Sequence, residues 1–298
     1  MSNTKEDIIA KVYNDPSGHG SIQNTYNDAK KINFGITIDN VKDWFSKNVE
    51  RKTQLKGFNS YIAPEANFEY QIDLFYLSDL EDQKFKVGML SVDIFTKYTW
   101  VVPIMSKSIP DVLAGFLEIF HKMGKPKMVY SDNETSFVSP EVQKYFQDQN
   151  MKFITTRTHA AVAERQIQTI KDMIYKRLEN SENKQWTSVL YPVLLTYNHK
   201  MIHRTTGMTP DEARKKENHL KVKTQLEIHR ITKRRYPDIH IGDDVKIYQK
   251  KGAFDKRQVS TWTKESYKVE AITEEFGQKF YKVTDWPKPF IRHEILKV

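Results

Sequence analysis

A chain of 298 residues with 39% apolar, 12% aromatic and 29% charged side chains has enough core-forming material for several compact units and lacks the composition of a disordered tail. It contains no cysteine, which excludes disulfides, Cys-ligated zinc and a thiol nucleophile, and no apolar run approaches the roughly 18 residues of a membrane span. The net charge of +9 is concentrated: residues 1–213 balance 26 Lys+Arg against 26 Asp+Glu, whereas residues 214–298 carry 21 against 12. A basic segment attached to a neutral body is what binding to a phosphate backbone asks for. The opening MSNTKEDIIAKVYND has no secretory pattern, so an intracellular protein, neither secreted nor membrane-inserted, is expected.

Residues 4–50 read as short helices: KEDIIAKVY, then SIQNTYNDAKK opened by Ser21, then TIDNVKDWFSKN opened by Thr37. The loop PSGHG separates the first two and Gly35 precedes the third. This helical N-terminal domain, residues 1–50, suits a helix-turn-helix and a plain three-helix packing unit equally well. A polar linker over 51–64 follows, and then the pattern changes to strands: FEYQIDLFYL, FKVGMLSVDIF and YTWVVPI, which read as an antiparallel meander. Next come a helix from Pro110 to Met123, a strand KMVYSD, a helix opened by Ser139-Pro140, a strand MKFITT and a long helix from about Ala160 to Leu178. The order βββαβαβα predicts an α/β core with a mixed sheet flanked by helices over residues 65–213. WTSVLYPVLLTYN and TPDEARKK, capped by Thr209 with Pro210 at its first helical position, extend that core.

Residues 214–236 hold nine Lys+Arg against two acids and end in KRRYP, which reads as a basic linker. Beyond it, residues 237–298 contain IGDDVKIYQKK, STWTKESYKVEAI, QKFYKVTD and FIRHEILKV, the short alternating strands of a small SH3-like barrel.

Three acids stand out. Asp73 is the one acid inside the apolar and aromatic strand YQIDLFYL, where a carboxylate is costly to bury without a cation. Asp132 ends the strand KMVYSD, at the carboxyl edge where open sheets place ligands. Glu164 lies on the helix HAAVAERQIQTIKDMIYKRL beside Ala160, Ala161 and Ala163, small residues that let a helix approach a sheet closely. Singly, each has an ordinary explanation: an edge position facing water, a loop cap, a solvated helix residue. Together they make an oxygen-only donor set suited to Mg²⁺ or Mn²⁺, and two such ions stabilise the attacking and leaving oxygens of phosphoryl transfer.

The element order with these acids resembles the ribonuclease-H-like catalytic core of retroviral integrases. The segments NSYIAPEANFEYQIDLFYL, SVDIFTKYTWVVPI, YSDNETSF, ITTRTHAAVAERQIQTIKDMIYKRL, LLTYNHKMIHRTTGMTPDEARKKEN, IGDDVKIYQKK and FIRHEILK are similar to integrases of Maverick/Polinton DNA transposons and related virophages. The resemblance implies a metal site of Asp73, Asp132 and Glu164 and a lysine seven residues after the glutamate that touches a DNA end, a spacing Lys171 matches. Glu164, Gln168 and Lys171 then share one helical face.

Three departures from the family pattern accompany it. The 31 residues between Asp132 and Glu164 are fewer than in the retroviral group, so Glu164 is assigned from its flanking THAAVAER. Asp132-Asn133-Glu134 stands where many relatives have Asp-Asn-Gly, leaving Glu134 as a decoy or an additional acid. The N-terminal zinc module is excluded, because there is no cysteine and His19 is the sole histidine before position 121. His159 is expected to cap its helix or approach DNA, Trp100, Trp186 and Trp262 to pack, and His199, His203, His219 and His229 fit no metal-ligand pattern.

The expected protein is a DNA integrase that trims the 3′ ends of a linear mobile-element or viral DNA and joins them to a target duplex. It would use two Mg²⁺ or Mn²⁺ ions per site and work as a homo-multimer on double-stranded DNA, with Lys233, Arg234 and Arg235 gripping phosphates. Its expected location is the host nucleus, or a viral particle or cytoplasmic factory. A ribonuclease-H-like nuclease, a cut-and-paste transposase and an inactive architectural DNA-binding protein are the alternatives.

Overall fold

The computed structural model describes residues 4–18, 20–49, 60–77, 79–80, 82, 84–156, 160–179, 181–230, 236–249, 261–275 and 277–298. The chain divides into two compact units, Met1–Leu55 with Lys251–Ser266 and Lys56–Lys250 with Tyr267–Val298. The first contains α1 (Lys5–Asn14), α2 (Ile22–Ile32) and α3 (Ile38–Asn48). Each starts on a hydroxyl cap, Thr4, Ser21 or Thr37, that accepts a bond from a first-turn amide, and Thr4 and Thr37 complete reciprocal capping boxes with Asp7 and Asn40. Ile8, Ile9, Ala29, Ile36, Val41 and Trp44 form its core, with Tyr13 set edge-on against Trp44 and Phe45.

The second unit is built around β1 (Glu69–Tyr76), β2 (Val87–Asp93), β3 (Thr99–Ile104), β4 (Met128–Asp132) and β5 (Lys152–Thr156), in the spatial order β3-β2-β1-β4-β5. β1–β2 and β2–β3 are antiparallel, while β1–β4 and β4–β5 are parallel. β1 is therefore the seam between a hairpin-built half and a crossover-built half. Its period-two pattern sorts the two faces. Tyr70 and Ile72 enter one apolar layer with Phe116 and Phe120 of α4 (Ile109–Met123) and Phe146 of α5 (Pro140–Asp148). Phe75 faces the other layer with Ile170 and Ile174 of α6 (Ala161–Leu178) and Trp186 and Leu190 of α7 (Trp186–Lys200). Gly88 sits opposite Phe75 in the ladder, and a methyl group there would lie 2.3 Å from the Phe75 ring, so the absent side chain is what lets the ring lie across β2.

The segment 214–236, expected as a linker, is partly structured. After α8 (Pro210–Arg214), residues His219–Ile228 form α9, and its Val222 and Leu226, one helical turn apart, are buried in the layer under α6 and α7. The basic residues of this stretch thus begin on a helix packed to the core.

At the C-terminus β6 (Asp244–Ile247), β7 (Tyr267–Glu275), β8 (Gln278–Val283), β9 (Phe290–Ile291) and β10 (Ile295–Lys297) make an all-antiparallel sheet in the order β10-β6-β7-β8-β9, an SH3-like arrangement. Val245, Ile247, Val269, Val283 and Ile295 fill its centre. The sheet rests on the core within the same unit: Phe280 and Ile291 join the core layer, Lys152 pairs with Glu275, and the Lys152 ammonium sits 4.1 Å from the Phe280 ring centre. Among the described residues no helix is long and apolar enough to cross a membrane.

Candidate active site

The parallel ladder between β1 and β4 runs in register from Glu69–Met128 to Ile72–Ser131, and the next step brings Asp73 beside Asp132. In-register residues of adjacent parallel strands project to the same face about 4.8 Å apart. That face is the one covered by α6. Asp73 is half-buried and accepts the Leu74 amide at 2.8 Å, which lessens the desolvation its strand position would otherwise impose. Asp132, also half-buried, is the last residue of β4 and is itself registered with Thr156 of β5. Both acids thus lie toward the carboxyl ends of parallel strands.

The third acid depends on how α6 begins. Its N-cap residue, Ala160, offers no capping side chain. The orphan amides are taken instead by β1: Gln71 Oε1 accepts from Val162 N at 3.0 Å and from Ala163 N at 3.4 Å. Gln71 is two residues before Asp73, on the same face of the strand. Ala160 and Ala163 are fully buried against the sheet, the close approach their small size permits, and Glu164 emerges exposed in the first turn. Glu69, two residues before Gln71 on the same strand face, is only 3% exposed, and burial pushes its carboxyl up to about 7. Beside it, burial brings the Lys97 ammonium down to about 8 against the opposing pull of Asp93 and Glu69, and Lys97 Nζ donates to Ile94 O at 2.6 Å.

The donor set of three carboxylates fits a hard divalent cation. Among the described residues no three His, Asp or Glu side chains stand close enough to make a finished metal cluster. Asp73 and Asp132 lie on the strand face covered by α6, and Glu164 is exposed in the first turn of that helix.

Glu134 is in an ion pair with Lys107, 2.9 Å from Oε1 to Nζ. Along α6, Gln168 Nε2 donates to Asp172 Oδ1 at 2.7 Å, and Lys171 Nζ reaches the carbonyl of Tyr76, the last residue of β1, at 3.0 Å. Lys233, Arg234, Arg235, His159 and His19 lie outside the described residues. Trp186 is buried with its Nε1 donating to Phe85 O at 3.0 Å, Trp262 is buried, and Trp100 is half-buried with the Lys122 ammonium over its ring. His199 pairs with Asp211, His219 Nε2 contacts Arg214 O at 3.2 Å, and burial pushes His203 down to about 4. Gln71 and Glu69 are the site residues that motif reasoning misses; their signal is polar side chains at alternate positions leading up to Asp73.

No protein-family model matches the chain. It is 27% identical over 139 residues to a retrovirus-related Pol polyprotein from transposon 297 of Drosophila melanogaster, a match that covers 45% of this chain and 13% of that protein. It is 23% identical over 188 residues to a putative uncharacterized transposon-derived protein of Caenorhabditis elegans, covering 62% of this chain and 63% of that one. The chain thus spans less than two thirds of the length of either relative. A chain of the simian T-cell lymphotropic virus intasome, solved by cryo-electron microscopy in complex with the PP2A regulatory subunit B56 gamma, matches at a TM-score of 0.61 and 15% identity, over 99% of both chains. The HTLV-2 integrase catalytic core domain in complex with magnesium matches at a TM-score of 0.46 and 22% identity, over 51% of this chain and 99% of that one. The fold is that of the matched intasome chain, a ribonuclease-H-like core followed by an SH3-like barrel, and part of the sequence is similar to transposon-encoded proteins.

Proposed function

We propose that this protein is a DNA integrase that trims the 3′ ends of a linear mobile-element or viral DNA and joins them to a target duplex, and that it belongs with the integrases of Maverick/Polinton transposons and virophages. The observation that carries the reading is the placement of Asp73 and Asp132 one step beyond the parallel β1–β4 ladder, on the sheet face covered by a helix whose first turn carries Glu164. These carboxylates would hold two Mg²⁺ or Mn²⁺ ions, which supply charge neutralisation for in-line phosphoryl transfer. The protein needs no covalent intermediate. Its own residues bind and orient: Lys171, on the helix of the third acid, would hold the donor end with Gln168 beside it, and the basic stretch 214–236 with Lys233, Arg234 and Arg235 would grip backbone phosphates. Joining two ends in concert calls for a homo-multimer on DNA, inside the cell at the site of the host or viral genome.

The test is a joining assay with a linear donor duplex and a plasmid target in Mg²⁺ and in Mn²⁺. Trimmed 3′ ends and concerted joining products are expected, and both vanish in Asp73→Asn. Cleavage without joining would assign a nuclease, and DNA bound but never cut would assign an architectural protein.

A further inference from the structure

The helix that carries the third acid begins without a cap of its own, yet the start of a buried helix cannot leave its amides unpaired at low cost. One side chain from another element supplies the missing acceptor. Gln71 Oε1 bridges Val162 N and Ala163 N, so a single oxygen ties β1 to the first turn of α6. Two residues further along the same strand face is Asp73, and one residue beyond the bonded amides is Glu164. One oxygen that accepts from two consecutive amides of another element fixes the start of that helix against its own strand, which is what makes a residue able to set the distance between two elements.

We propose that Gln71 is a positioning residue for metal binding: as the N-terminal cap of α6 supplied from β1, it fixes Glu164 relative to Asp73. The inference rests on the three-carboxylate reading of the site. Gln71 does not itself touch an ion or DNA; it acts through the helix. The assignment follows from three facts: α6 lacks a cap on its own N-cap residue, the acceptor comes from the strand of the first acid, and it bonds the two amides immediately before the third acid. Groups that orient metal ligands from behind commonly change metal affinity about 10- to 100-fold when removed.

The test compares Gln71→Met, which keeps length and volume but has no acceptor, with Gln71→Glu, which keeps an oxygen in reach of both amides. Glu164→Gln is measured beside them in the full chain. Mn²⁺ affinity is read from the free-ion signal in electron paramagnetic resonance, and folding from the urea midpoint. The expected result is a folded Gln71→Met protein that binds Mn²⁺ about 10- to 100-fold more weakly, with Gln71→Glu restored to within about threefold of the parent. Parent-like Mn²⁺ affinity in Gln71→Met overturns the proposal. So does a Gln71→Glu protein as weak as Gln71→Met, or unfolding of both while Glu164→Gln folds, since the bond would then serve folding alone. Unchanged Mn²⁺ affinity in Glu164→Gln is a separate outcome, and it removes the three-carboxylate reading itself.

Discussion

Thr156, the last residue of β5, donates a 2.7 Å hydrogen bond from Oγ1 to Glu294 Oε1, in the single helical turn between β9 and β10, and both side chains are buried. Because Thr156 is registered with Asp132, the barrel is anchored one strand away from the second acid. Glu294 is further held by the Ile291 amide on its other oxygen, at 3.0 Å. Replacing the hydroxyl by a methyl keeps the shape and deprives a buried carboxylate of a donor, at a cost of about 1–3 kcal/mol. Thr156→Val should therefore lower the urea midpoint and expose the core–barrel junction to limited proteolysis, whereas Thr156→Ser should do neither.

The acids themselves are expected to separate chemistry from stability. Asp73→Asn, Asp132→Asn and Glu164→Gln should each lower 3′ trimming and joining by at least about 100-fold, since each removes charge from a group asked to supply several kcal/mol through a bound ion. Their urea midpoints should stay level or rise as like charges are removed. Glu134→Gln should stay within a few-fold of the parent, because its partner Lys107 lies on a half-exposed surface where an ion pair contributes about 0–1 kcal/mol. A Glu134→Gln protein that loses activity beside an active Glu164→Gln would move the third acid.

Lys171 offers a distinction within one helix. Its ammonium reaches the carbonyl end of β1 at Tyr76, while Lys176 is exposed further along α6. With many basic groups sharing bulk affinity, Lys171→Ala should impair joining of a cognate donor end by about tenfold or more with little change in binding to unrelated duplex. Lys176→Ala should change neither. Filter binding and joining at one fixed salt concentration decide it, and equal defects in both proteins would assign Lys171 to the solvated surface.

Glu69 gives the fold a pH dependence with a definite sign. Its carboxyl titrates near 7 in the folded chain and from an ordinary value of 4.5 in the unfolded one. Between those values the folded chain keeps a proton that the unfolded chain has released, so stability falls as pH rises from about 4.5 to 7. A shift of this size corresponds to about 3 kcal/mol at most. Lys97, brought down to about 8, acts in a separate window, where stability rises with pH up to its ordinary value of 10.5. His203 and His293, whose imidazoles burial holds down to about 4, act in the opposite sense over the same range, so the Glu69 contribution is read as a difference: the urea midpoint of the parent relative to that of Glu69→Gln should decline from pH 5 to 7. A difference that does not change with pH would place the titrating group elsewhere.

Much of the architecture is legible in the sequence because its signals are local. The alternation in YQIDLFYL, the hydroxyl caps Ser139 and Thr209 and the Pro at the next position each act within a few residues, and the strand and helix order of the core follows from them. The capping of α6 is not local: its acceptor lies 91 residues before Val162, and nothing in the helix's own sequence announces it. The helix inside the basic segment is hidden for a different reason. Val222 and Leu226 are a short apolar pair among lysines, and composition over 214–236 is dominated by charge, whereas burial of those two side chains in the core layer decides the conformation. Glu134 illustrates the converse: its sequence position makes it a rival ligand, and only the placement of Lys107 shows where its charge is spent.

The position of β1, hydrogen-bonded to β2 on one side and to β4 on the other, has a bearing on which changes a lineage of such genes could carry. A one-residue insertion or deletion between Glu69 and Asp73 would exchange the two faces of everything downstream in the strand. Aspartate would turn into the phenylalanine-rich layer under α4, and an apolar side chain would take its place beside Asp132. Neither neighbouring strand could follow, because each is committed to its own register. Drift in length is thus confined to the connections between strands, since a single frame-preserving codon gained or lost within β1 would turn Asp73 away from Asp132 while leaving composition and strand propensity almost unchanged.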